Sequence, residues 1–121
     1  MAHKKTMILG ATNNPGRYAF LAATRLIASG HTIVNIGVVE GEIEGIPIQA
    51  PKAIHEDIDT ITMYIGAARQ TLLYDYILET KPRRIIFNPG SENPGLERLA
   101  IANGIVTERA CTLVLLATAQ F

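Results

Sequence analysis

The chain has 121 residues, with 11 basic and 11 acidic side chains and a formal net charge of zero. An apolar fraction of 48% and a mean hydropathy of +0.20 exclude extended disorder, and the charge balance excludes a broad basic face for nucleic acid. A lone cysteine, Cys111, excludes an internal disulfide framework, and three histidines beside it do not make a structural zinc site.

At this length one domain over residues 1–121 is expected, large enough to bury a core without staples. The apolar run Thr6-Met7-Ile8-Leu9 is too short for a signal peptide or a membrane span, and so is the later run from Leu113 to Ala117. A reducing compartment, by default the cytoplasm, is therefore expected, with no membrane partner.

Lys5-Thr6-Met7-Ile8-Leu9-Gly10 reads as a first buried strand closed by glycine. Residues 11–16 are rich in Asn, Gly and Pro and read as a loop. Residues 17–29 carry Phe20, Leu21, Ala23, Thr24, Ile27 and Ala28 near helical spacing, with Gly30 as the stop. Residues 31–36 are β-branched and predict a second strand. Residues 40–51 hold Gly41, Gly45, Pro47 and Pro51 and read as irregular and exposed, with a brief extended piece at 46–49. Residues 59–65 predict a third strand. Residues 67–80 predict a helix with an apolar face at Leu72, Leu73, Tyr76 and Ile77, stopped before Pro82. Residues 84–88 predict a fourth strand, 89–94 a second turn-rich loop, 96–103 a short helix, and 105–107 a short fifth strand; the apolar remainder is left unassigned.

Strands alternating with helices imply an α/β fold with a doubly wound parallel sheet of about five strands in a single three-layer domain. Numbering those strands in chain order, right-handed crossovers give the expected order 3-2-1-4-5. Ligands in such sheets bind beyond the carboxyl ends of the strands, where the order reverses. That places the site between the first and fourth strands, under the loops 10–17 and 88–94.

The first loop, Gly10-Ala11-Thr12-Asn13-Asn14-Pro15-Gly16-Arg17, joins a strand to a helix start whose amides and dipole suit an anion. Gly10 permits the tight turn, Thr12 and Asn13 offer side-chain donors, Pro15 suits helix entry, and Arg17 offers a fork for phosphate. Two other phosphate motifs fail. A dinucleotide fingerprint would need glycines where Thr12 and Pro15 stand, and an acid near Asn35-Ile36-Gly37; a P-loop would need its second glycine one place earlier, followed by Lys.

Gly10-Ala11-Thr12-x-x-Pro15-x-Arg17-Tyr18 resembles the opening of the small stand-alone coenzyme A-binding domain family. That family is related to the CoA-binding domain of succinyl-CoA synthetase alpha subunits and of ADP-forming acyl-CoA synthetases. Asn88-Pro89-Gly90-Ser91-Glu92-Asn93 is similar to that family's P-G-x-x-N element, and Cys111 falls where many members carry a cysteine. The resemblance implies a Rossmann-like CoA-binding fold with CoA phosphates on the first loop. After the second strand the chain departs from the family: it reads Asn35-Ile36-Gly37-Val38-Val39 in place of an Asn-Pro-Lys-type segment.

The expected site therefore comprises Gly10, Ala11, Thr12, Asn13, Pro15, Arg17, Tyr18, Asn88, Pro89, Gly90 and Asn93. Met63, Tyr64 and Ile65 join it as an apolar surface for a base or a pantetheine chain. The leading reading is a binding module for CoA or an acyl-CoA. A small enzyme acting on CoA thioesters or a nucleotide, with Glu92 or Cys111 in a chemical role, stays open. So does a ligand-free interaction domain, and so does a protein partner or a homodimer.

Overall fold

The strands at the centre of the fold are short, β-branched and buried, as stretches covered on both faces must be. A computed structural model describes residues 2–121. In chain order the elements are β1 (Thr6–Leu9), α1 (Tyr18–Ala28), β2 (Ile33–Ile36), β3 (Glu42–Ile43), β4 (Ile46–Gln49) and β5 (Thr60–Met63). Then follow α2 (Ala67–Gln70), a 3-10 turn (Thr71–Leu73), α3 (Tyr74–Thr80), β6 (Arg84–Phe87), α4 (Pro94–Ala102), β7 (Val106–Arg109) and α5 (Thr112–Ala117).

Seven strands form one sheet in the order β3-β4-β2-β1-β5-β6-β7. All neighbours are parallel except the β3–β4 hairpin. The α/β, doubly wound, Rossmann-like architecture expected from the sequence is present, but the strand order is corrected. The brief extended piece expected at 46–49 is β4; residues 42–43 add β3 beside it, and β4 joins the sheet by pairing with β2 through Asn35–Ile48 and Ile36–Gln49. The hairpin turn is Glu44-Gly45, both at positive φ (48° and 82°), as a two-residue I′ turn requires. Pro47 is tolerated because the ladder at this edge is only two residues deep.

The extra strand moves everything after it. The parallel strands run 3-2-1-4-5-6 in their own chain order, and β1 lies between β2 and β5. The order therefore reverses between β1 and β5, where Leu9 stands opposite Ile36 on one side and Met63 on the other. The sequence expectation put the reversal one strand further along, at β6.

Alternation along each strand divides the core. Met7, Leu9, Ile61, Met63, Ile85 and Phe87 pack under α3 and α4 with Ile77, Leu96 and Ala100. Ile8, Ile33 and Ile86 face α1 and the C-terminal segment with Ala23, Leu26 and Phe121. The face of α1 is centred on Ala19, Ala22, Ala23 and Leu26, while Ala28 is exposed; small side chains let this helix sit close to the sheet. The expected helix over 67–80 is interrupted. The tighter 3-10 turn changes the angular phase, so Leu73, Tyr76 and Ile77 pack inward while Leu72 is turned out, 92% exposed. The apolar tail contains α5, which packs against α1. Among the described residues no helix is long and apolar enough to cross a membrane.

Candidate functional site

The backbone leaving β1 is held close to both neighbouring strands. Gly10 and Ala11 both donate to the carbonyl of Ile36 at 2.9 Å. Gly10 has φ +101°, and a Cβ there would lie 2.9 Å from Cγ1 of Ile65 and 3.1 Å from the carbonyl carbon of Tyr64. Gly37, at the end of β2, faces the carbonyl oxygen of Ala11 so closely that a side chain would collide with it. The floor of the switch point is thus bare backbone, which only glycine permits.

The loop above this floor folds on its own side chains. Thr12 Oγ1 accepts from the Asn14 amide at 3.2 Å. Asn14 Oδ1 accepts from the Gly16 amide at 2.9 Å, and the Asn14 carbonyl accepts from the Arg17 amide at 3.1 Å. Arg17 occupies the cap position of α1 in extended conformation. No side chain caps the helix and its first turn carries no acid, so the helix start presents amides and positive dipole to the cleft.

Two depressions meet here and share Gly10, Thr12, Arg17 and Arg69. The polar lobe, of about 390 Å³, is completed by Tyr18, Tyr64, Pro89, Gly90 and Ser91, among others. The apolar lobe, of about 740 Å³, lies between Val38, Val39 and Pro51 on one side and Ala68, Leu72 and Leu73 on the other, with Ala11 and Ile65 between. Val38 and Leu72 are 93% and 92% exposed, so this lobe presents uncovered apolar surface. No carboxylate lines either lobe, while two guanidiniums line both. Burial pushes the Tyr64 phenol up to about 12; the Thr62 and Thr112 hydroxyls offset part of this, and Cys111 adds to it. Tyr64 therefore remains a neutral group at the base of the polar lobe.

Of the residues expected from sequence, Gly10, Thr12, Arg17, Tyr18, Tyr64, Pro89 and Gly90 meet in the polar lobe, and Ala11 and Ile65 in the apolar one. Asn13 packs against Gly41, and Pro15 is exposed; neither lines a lobe. Met63 is buried in the core beneath the site. Asn88 is spent internally: its Nδ2 donates to Thr62 Oγ1 (2.8 Å) and the Met63 carbonyl (2.9 Å), and its Oδ1 accepts from the Thr112 amide (2.8 Å). Asn93 caps α4 by accepting from the Leu96 amide at 3.1 Å, and donates to Gln70 and Tyr74. Glu92 accepts from the Gly90 amide at 2.8 Å, and Cys111, half-buried, sits at the start of α5.

Arg69, Val38, Val39, Pro51, Leu72 and Leu73 are not among the residues that the sequence places at the site, whereas Ser91 lies within the loop 88–94 expected there. The signal that would have found Arg69 is positional: a basic residue within the first turn after the strand that abuts β1. It becomes legible only once β4 is counted and the switch point falls at β5.

A protein-family model described as a CoA binding domain matches residues 4–117. The chain belongs to the CoA-binding domain family. A crystal structure of an uncharacterised protein is similar to it over the whole of both chains, with 46% identity and a TM-score of 0.98. A Thermus thermophilus structure, cell-free ID.343, is 19% identical with a TM-score of 0.87, covering 98% of this chain and 90% of that one. A hypothetical protein from Pyrococcus horikoshii OT3 is 18% identical with a TM-score of 0.80, covering 92% and 80%. At such identities these two likenesses speak for the fold alone. No curated protein matches the chain.

The chain has a further depression of about 840 Å³, larger than either lobe taken alone, at the opposite end of the sheet, before β1, β5 and β6. Its lining mixes Lys4, Lys5 and Arg83 with Glu56, Asp57 and Asp59. Neighbouring carboxylates cancel the field that an anion needs, so size does not make it the better phosphate site.

Proposed function

We propose that this chain binds coenzyme A or an acyl-CoA as a single-domain binding module, in the two-lobed cleft above β1. The observation that carries the reading is the junction of the lobes. Arg17, Arg69 and the uncapped start of α1 converge on one place that has no carboxylate and opens onto an apolar trough. CoA has matching chemistry, a diphosphate joined to a purine nucleoside and to a long, weakly polar pantetheine arm. The diphosphate is assigned to the junction, where guanidinium forks and helix amides both serve it. The apolar lobe takes one of the less polar arms.

The cleft disfavours NAD(H). The residues after β2, Gly37-Val38-Val39, hold no carboxylate to accept the adenosine ribose hydroxyls. Titration calorimetry with CoA, acetyl-CoA, NAD and ATP at one fixed salt concentration tests the reading. CoA or acetyl-CoA binding more tightly than NAD and ATP is expected. NAD binding as tight as CoA, or no CoA binding to the folded protein, overturns it.

A further inference from the structure

We infer that Gln70 is a positioning residue for the cleft: it clamps the loop after β5 to the loop after β6, and so fixes where Arg69 and Gly90 stand. The inference rests on the CoA-binding reading for what is bound, and on the hydrogen-bond geometry for the clamp itself.

Gln70 is wholly buried, at 0% exposure, which is rare for glutamine unless its amide is satisfied. Its two donors are both used, Nε2 giving to the carbonyl of Ile65 at 2.7 Å and to that of Ser91 at 2.7 Å. Its acceptor is used too, Oε1 receiving from Nδ2 of Asn93 at 3.0 Å. Asn93 continues the chain by capping α4 and donating to Tyr74. The β5–β6 ladder ends at Met63 and Phe87. Beyond it the two loops are joined by side chains, Asn88 at the root and Gln70 further out.

What Gln70 grips is the wall of the cleft. Ile65 lines the apolar lobe and Ser91 the polar lobe. Arg69, the preceding residue, lines both, and its own amide is tied to Gly66 at 3.0 Å. A neighbour one residue along a helical turn moves with its partner, so the grip that fixes Gln70 fixes the base of the Arg69 side chain. An apolar residue of the same length would fill the space but leave two carbonyls and one N–H of the Asn93 amide without their Gln70 partner, and the loops free to part.

The test is a double-mutant cycle on CoA affinity with Gln70→Met and Arg69→Ala, joined to hydrogen exchange on the ligand-free proteins. A clamp predicts that Arg69→Ala weakens CoA roughly tenfold or more in the parent but much less in the Gln70→Met background, where Arg69 is already misplaced. It also predicts faster exchange at residues 64–69 and 89–93, with β5 and β6 unchanged. Equal factors for Arg69→Ala in both backgrounds, or faster exchange spread evenly over the sheet, overturn the clamp and leave Gln70 as ordinary core. If Gln70→Met does not fold, Gln70→Asn, too short to span both carbonyls, gives the same readouts. If the parent fails to bind CoA yet the two loops loosen together, the CoA reading falls and the clamp stands.

Discussion

The loops at residues 10–17 and 88–93 are built from nearly the same materials, glycine, proline and small polar residues, and they put them to opposite use. In the first, Thr12 and Asn14 satisfy only their own loop, and Arg17, Tyr18 and the first amides of α1 face outward. In the second, Asn88, Ser91 and Asn93 are buried, and each side chain is committed to a neighbouring element or carbonyl. Only Pro89, Gly90 and part of Ser91 reach the cleft. Turn-rich composition at the carboxyl edge of a parallel sheet marks where a site is, then, but does not separate residues that meet a ligand from residues that hold the edge in shape. The hydrogen-bond inventory separates them, because an amide whose donors and acceptor are all engaged has nothing left to offer.

The contrast predicts opposite phenotypes. The largest effect is expected at Asn88→Leu, which strands the Thr112 amide and the Met63 carbonyl in the core and leaves the Thr62 hydroxyl only its bond to the Thr112 hydroxyl. At about 1–3 kcal/mol per stranded group, the loss of stability should be about 2 kcal/mol or more, read from urea melts. A loss under about 1 kcal/mol would show that the second loop is not the structural one. Arg17→Ala should do the reverse. CoA affinity should fall by about 1.5–3 kcal/mol, roughly 10- to 150-fold, with stability within about 0.5 kcal/mol of the parent. Arg17→Lys should recover only part of the loss, since an ammonium lacks the planar fork. An unchanged dissociation constant in the folded Arg17→Ala protein would take the first loop out of the site.

Gly10→Ala probes the floor that both loops stand on. Positive φ and the approach to Tyr64 and Ile65 should cost about 1–3 kcal/mol of stability; a melt like the parent's would mean that the floor relaxes freely. The smallest effect lies at the far end of the sheet. Burial, then the nearby His3 and Lys4 charges, holds the His31 pKa below its ordinary 6.5. The unfolded chain therefore takes up the proton first, and stability should decline as pH falls below about 6.5. Melts at pH 7.5 and 5.5 should show a shallower decline in His31→Gln than in the parent, and parallel declines would contradict the shift.

Much of this was legible in the sequence, for physical reasons. Buried parallel strands are short β-branched runs, and β1, β2, β5 and β6 announce themselves that way. The start of α1 is equally plain, because Gly10, Pro15 and Arg17 each carry a backbone or charge requirement that composition reveals. The β3–β4 hairpin was not legible as such. Its turn is Glu44-Gly45 and its second strand holds Pro47, signals that read as irregular chain until pairing with β2 supplies the reason. The extended piece read at 46–49 is β4 itself, but leaving it out of the sheet moves the expected switch point from β5 to β6, and hides Arg69 with it. Leu72 was misassigned for a different cause, since a uniform helical period cannot anticipate the 3-10 turn that rotates it into the cleft wall. The inward aim of Asn88 and Asn93 depends on partners 19 to 26 residues away, which no local pattern encodes.

The most direct measurement is hydrogen exchange with and without saturating CoA, after calorimetry has shown that CoA binds. Binding between Arg17 and Arg69 predicts slowed exchange at residues 11–20 and 65–70 together, with a smaller effect at 89–91 and none at residues 3–5 and 54–59. Protection confined to residues 3–5 and 54–59 would place CoA in the depression at the other end of the sheet and contradict the assignment of the site.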